Sequence, residues 1–143
     1  MFLGEYEHTI DDKGRLAIPA RFRDALSEGV VITRGFDKCL MGFPRSVWEE
    51  LARQVSSLPI GNEETRQLQR MLFSGAADMS LDRQGRILIP QNLREFAELG
   101  DRAIIAGLNR HFEIWSPRRW QNVLSAMDAN ASLFAQKLAE LRF

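Results

Sequence analysis

Two short stretches carry the residue types best suited to recognition chemistry. Asp11-Asp12-Lys13-Gly14-Arg15 runs into Leu16-Ala17-Ile18-Pro19, and Asp82-Arg83-Gln84-Gly85-Arg86 runs into Ile87-Leu88-Ile89-Pro90. In each, an aspartate can fold its carboxylate onto loop amides, and a glycine supplies a positive backbone φ and a close approach. An arginine follows with a rigid fork of donors. Such a fork matches phosphate, or the O6/N7 edge of guanine. Lys13 and Arg83 add positive charge at the same tips, at neighbouring positions. A second reading keeps the same residues purely structural, with the arginines paired to their own loop aspartates.

Other reactive residues are sparse. Cys39 is the single cysteine, set in an apolar stretch read as strand, and the histidines are His8 and His111. A buried structural thiol outweighs a Cys-His nucleophile. His111 and Glu113 alternate and could share a strand face, but no third metal ligand is evident. Glycine-rich phosphate loops, nucleophile elbows and zinc spacings are absent from the sequence. No catalytic residue, metal or cofactor is expected, and the chain is read as a non-enzyme.

The two loops belong to a longer internal repeat. Aligning Asp11 with Asp82 also matches Arg15 with Arg86, Ile18 with Ile89, Pro19 with Pro90, Arg23 with Arg94 and Gly29 with Gly100. After one inserted residue, Ile32 falls on Ile104, Gly35 on Gly107 and Trp48 on Trp120. The repeat spans about residues 5–50 and 76–122. Each copy reads strand, loop, strand, short helix, strand, strand. Pro19 and Pro90 open the helices, in which Phe22 and Leu26, or Leu93 and Ala97, form a buried stripe. Gly29 and Gly100 are expected to stop them. A unit of this size holds a stable core with difficulty by itself, so the copies are expected to complete one barrel with pseudo-twofold symmetry.

Helices flank the copies. Val47, Trp48, Leu51 and Val55 recur at helical spacing, Asn62 is placed to cap a helix opening with Glu63-Glu64, and Ser116-Pro117 opens another. Trp48 and Trp120 are expected in the core. The last helix carries Leu133, Phe134, Leu138 and Leu141, a stripe that needs a partner. The organisation is therefore residues 5–47 as unit 1, 48–75 as helical connector, 76–119 as unit 2 and 120–143 as C-terminal helices.

Composition bounds the remainder. The 143 residues are 45% hydrophobic and 27% charged, which suits a globular domain. No apolar run approaches the ~18 residues needed to span a bilayer, and the N-terminus shows no signal-peptide pattern. With its lone cysteine, the chain is expected in the cytoplasm. Net charge is zero, which argues mildly against a nucleic-acid binder. Only Lys13, Lys38 and Lys137 are lysines, however, so arginine dominates the positive charge; recognition or a GC-rich genome would each account for that.

The tandem Asp-x-x-x-Arg motifs, set behind "MFLGEYEHTIDDKGRLAIPARFR", resemble the MraZ family of bacterial transcriptional regulators, built from two SpoVT/AbrB-like units. The resemblance covers nearly the whole chain. It implies an α+β fold of the swapped-hairpin, AbrB-like β-barrel type with flanking helices. It also implies nucleoid association, a ring-like homo-oligomer, and binding of double-stranded DNA at short direct repeats upstream of the division and cell-wall gene cluster. The family's motif carries DNA contact to Arg15 and Arg86, with support from Lys13, Arg83, Gly14 and Gly85, and loop shaping to Asp11 and Asp82. Neither a membrane nor a small-molecule substrate is implied. The alternative is an antitoxin-like AbrB interaction module that binds a protein partner without reading an operator.

Overall fold

The computed structural model describes residues 1–142; Phe143, the end of the expected C-terminal helical segment, lies outside them. The first copy contains β1 (Glu5–Thr9), β2 (Arg15–Ala17), the short helix α1 (Ala20–Arg23), β3 (Val30–Arg34) and β4 (Leu40–Pro44). Helices α2 (Arg45–Ser56) and α3 (Glu63–Ser74) follow. The second copy contains β5 (Ala77–Met79), β6 (Arg86–Leu88), α4 (Gln91–Phe96), β7 (Arg102–Gly107) and β8 (Phe112–Trp115). Helices α5 (Pro117–Ala129) and α6 (Ala131–Glu140) close the described chain. The architecture is mixed α+β. Among the described residues, no helix is long and apolar enough to cross a membrane.

Local chemistry explains most boundaries. Pro19 and Pro90 stand extended immediately before α1 and α4. The Asn62 side chain caps α3, accepting from Glu64 N at 2.8 Å and Thr65 N at 3.4 Å. Ser116 Oγ accepts from Arg119 N at 3.2 Å, with Pro117 in the first turn of α5. After Arg23 the helix tightens into a 3-10 turn, Asp24–Leu26, which carries Leu26 beyond α1, and Gly29, at φ +117°, donates back to Leu26 O at 3.0 Å to end the stretch. Gly100 does not end the second. There the left-handed residue is Glu98 (φ 56°), and Leu99 N donates back to Arg94 O at 2.9 Å. Leu99 packs against the core, so the chain must turn inward before Gly100 is reached.

The strands form one six-stranded antiparallel sheet, ordered β1-β7-β8-β4-β3-β5, and a separate β2–β6 ribbon. Pairing crosses the copies: β1 lies on β7, β5 on β3, and β4 meets β8 at the centre. The single closed barrel expected from the repeat is not formed among the described residues. β1 and β5 remain sheet edges, and the β1 ladder ends at Thr9–Arg102, beyond which Ile10 N donates to Asp101 O and Ile10 makes an isolated bridge to Leu16. Pro19 and Pro90 lack the N–H needed to extend the ribbon, so it stays too short to close the gap.

The core lies between the sheet's inner face, the ribbon and the two short helices. Leu16, Ile18, Phe22 and Leu26 are fully buried beside their counterparts Ile87, Ile89, Leu93 and Ala97. They meet Ile32, Leu40, Ile105, Phe112 and Ile114 from the sheet. Phe2 sets its ring edge-on to Phe22 at 5.0 Å between centroids, a favoured aromatic geometry. On the outer face, α2 and α3 cover Met41 and Phe43 through Val55 and Leu72, and α5 covers Ile104 and Trp115. Trp48 packs against Phe43 and Phe73, and Trp120 against Trp115, so both tryptophans sit half-buried on the sheet's outer face rather than in the core as expected, because α2 and α5 cover that face from one side only.

Candidate nucleic-acid interface

The two Asp-x-x-x-Arg loops adopt one construction. Asp11 Oδ1 accepts from Lys13 N at 3.0 Å and Arg15 N at 2.9 Å, while Oδ2 accepts from Arg15 Nε at 2.6 Å. Asp82 Oδ1 accepts from Gln84 N and Arg86 N at 2.9 Å each, and Oδ2 from Arg86 Nε at 2.9 Å. Gly14 and Gly85 supply the left-handed turn at φ +90° and +75°. The Arg15 backbone N–H is the main cause that holds the Asp11 carboxyl down at about 2, helped by the Arg15 side chain and Lys13 N–H. The same bonds, from Arg86 first, lower Asp82. Both carboxylates are thus fixed as acceptors.

The ribbon then sets the arginines side by side. Arg15 pairs across from Leu88, Leu16 from Ile87, and Ala17 from Arg86. Side chains alternate along a strand. Leu16 and Ile87 therefore enter the core, and Arg15, Ala17, Arg86 and Leu88 share the outer face. Arg86 Nη1 stands 3.9 Å from Asp11 Oδ2, which links the two motifs directly. Lys13 and Arg83 are exposed at the loop tips, and Gly14 and Gly85 are buried beneath them.

A second arginine pair was not singled out from sequence. Arg23 Nε donates to Ile18 O, and Arg94 Nε to Ile89 O, each at 3.0 Å. Each guanidinium lies against the glycine of the other copy, Arg23 on Gly85 and Arg94 on Gly14. Among the described residues, neither has a carboxylate within 4.0 Å. Their repeat-equivalent positions were the available signal. Nothing local marked them, because the contact is between copies.

The duplicated geometry has a counterpart in comparison with known proteins. The family model described as "MraZ protein, putative antitoxin-like" matches residues 1–71 and again 72–142. The chain belongs to the MraZ family. Similar MraZ proteins include one from Roseiflexus castenholzii, 96% identical over the full length of both chains. One from Herpetosiphon aurantiacus is 50% identical over 97% of both, and one from Moorella thermoacetica 46% identical over 98% of both. Each of these relatives bears the name "Transcriptional regulator MraZ".

In this MraZ chain the remaining reactive residues lie away from the loops. Cys39 is buried just before β4 rather than within it, with Sγ 3.0 Å from Phe36 O and 3.7 Å from Glu113 Oε2. Burial, then the Glu113 charge, pushes its thiol far up, which favours the unreactive form. His111 stacks on Phe43 at 5.1 Å, and burial lowers its pKa. Glu113 also accepts from Trp115 Nε1 at 3.0 Å. Among the described residues, no group of three His, Cys, Asp or Glu could hold a metal ion.

Proposed function

We propose that this MraZ-family chain is a non-enzymatic transcriptional regulator that reads double-stranded DNA through the outer face of its β2–β6 ribbon. The observation that carries the reading is the placement of Arg15 and Arg86 on that one face. Each Nε is taken by its aspartate, which pre-orients the guanidinium. Among the described residues, the Nη atoms of both arginines make no hydrogen bond within the chain. The major groove admits a two-stranded ribbon, and an arginine fork can hold guanine O6 and N7. Lys13 and Arg83 supply phosphate contacts beside it, Asp11 and Asp82 shape the loops, and the buried Gly14 and Gly85 make room beneath the tips for Arg94 and Arg23 rather than for DNA.

The finer reading follows the family resemblance. The operator is a set of short direct repeats upstream of the division and cell-wall gene cluster, read by a ring-like homo-oligomer at the nucleoid. The exchange of β1 and β5 between copies supports a swapped-hairpin ancestry for the fold. Residues 5–47 and 76–119 are the two recognition units.

The test is a band-shift titration with duplex from upstream of the protein's own gene, using wild type and R15A/R86A. Replacing both arginines should weaken specific binding by at least tenfold, since one bidentate base contact is worth ~1–3 kcal/mol. Folding should survive, because the backbone bonds to Asp11 and Asp82 remain. Normal operator binding by the double variant would overturn the ribbon-face reading.

A further inference from the structure

The outer face of the ribbon holds four side chains, and they do not obey the symmetry of the repeat. Arg15 and Arg86 are repeat-equivalent, as are Asp11 and Asp82. The other two positions are also equivalent, but one holds Ala17 and the other Leu88. Arg15 faces Leu88 across the ribbon, and Arg86 faces Ala17. Leu88 is 55% exposed although its strand neighbours Ile87 and Ile89 are fully buried. Among the large apolar side chains that stand exposed in the described residues, Leu88 alone lies on the ribbon.

We propose that Leu88 is a specificity-determining residue that contacts a thymine methyl group and so sets the direction in which a DNA box is read. The proposal rests on the DNA-reading face described above. A face carrying only the arginine pair would look nearly the same to a duplex turned end for end. The groove edge of thymine presents a methyl group that apolar side chains recognise, beside the guanine acceptors that arginine recognises. Leu88 extends an apolar surface next to Arg15, whereas Ala17 leaves that space open next to Arg86. The pair of steps Arg15–Leu88 and Arg86–Ala17 therefore distinguishes a guanine flanked by thymine from a guanine without it. The loop tips reinforce the asymmetry, with Asp12-Lys13 on one side and Arg83-Gln84 on the other.

The experiment replaces each thymine singly by deoxyuridine, which removes only the methyl, in a duplex from upstream of the protein's own gene. Binding of wild type and of L88A is measured at one fixed salt concentration. At one thymine the substitution should weaken wild type about fourfold, the worth of burying one methyl. L88A, whose thermal unfolding should be unchanged because the residue is exposed, should bind the natural duplex about fourfold more weakly. It should also be indifferent to deoxyuridine at that position. Uridine-insensitive binding by wild type, or the same loss in L88A as in wild type, would overturn the assignment and leave the DNA reading intact. Failure of wild type to bind the duplex at all would instead remove the DNA reading, and this inference with it.

Discussion

Arg94 of the second copy lies against Gly14 of the first, so that a Cβ on Gly14 would stand 2.8 Å from Arg94 Nε and 2.9 Å from Ile89 O. Arg23 fills the corresponding space over Gly85. Each Asp-x-x-x-Arg loop is therefore seated on a side chain from the other copy. Ile89 N donates to Gly14 O, and Ile18 N to Gly85 O, at 2.9 Å each. The two loops form one cross-braced unit.

Gly14→Ala should destabilise the fold more than Gly85→Ala. Both place a side chain at positive φ, which costs roughly 1–2 kcal/mol. At Gly85 the obstructing group is the flexible Arg23 side chain, which can swing away. At Gly14 the backbone carbonyl of Ile89 also obstructs, and it cannot move without opening the ribbon. Chemical denaturation of the two variants checks this; equal losses would contradict the bracing described.

Acid should loosen the loops in a defined window. The folded Asp11 carboxyl titrates at about 2, below the 3.8 of an unperturbed aspartate. The unfolded chain therefore binds the proton more readily. The stabilisation from Asp11 is complete above about pH 4 and is lost as pH falls through about 2. Asp82, also lowered, adds to the same trend. Carboxyl-carbon NMR should place the Asp11 midpoint near 2, and Asp11→Asn should flatten the acid limb of stability. A midpoint near 4 would mean that the loop bonds do not persist in solution.

Cys39 should prove inert. Its thiol is fully buried and held in the protonated form by burial and by Glu113. Iodoacetamide at pH 8 should label the native protein far more slowly than the denatured protein. Cys39→Ala should keep DNA binding within a few-fold of wild type. Rapid native labelling that abolishes binding would assign the thiol a reactive role.

Affinity should depend on the number of boxes. With zero net charge and one ribbon per subunit, a single contact is weak at physiological salt. A homo-oligomer makes later contacts intramolecular, which raises avidity by about 10²–10⁴ when the spacing fits. Duplexes with one, two and three boxes, some shifted by half a helical turn, should separate widely in a binding titration. Indifference to box number or phase would remove oligomerisation from the reading.

Local chemistry was legible in the residues themselves. The Asp-x-x-Gly-Arg turn is closed by bonds that reach no further than four residues, and the Asn62 and Ser116 caps act within three. Such contacts depend only on neighbouring residue types, so the duplicated loops, the helix starts and the burial of Phe22, Leu26, Leu93 and Ala97 could be read in advance, although Leu26 and Ala97 fall just beyond α1 and α4. What the tertiary structure decided are the partners drawn from afar. Which strand β2 joins, and therefore whether Arg15 and Arg86 share a face, depends on the other copy seventy residues away. The seating of Arg23 on Gly85 and of Arg94 on Gly14 arises the same way. So does the open sheet, because a repeat pattern specifies hydrophobic alternation but not which edge meets which. Leu88 shows the limit most plainly: its type marks it for a core, alternation with the buried Ile87 and Ile89 turns it outward, and only the register sets it opposite Arg15.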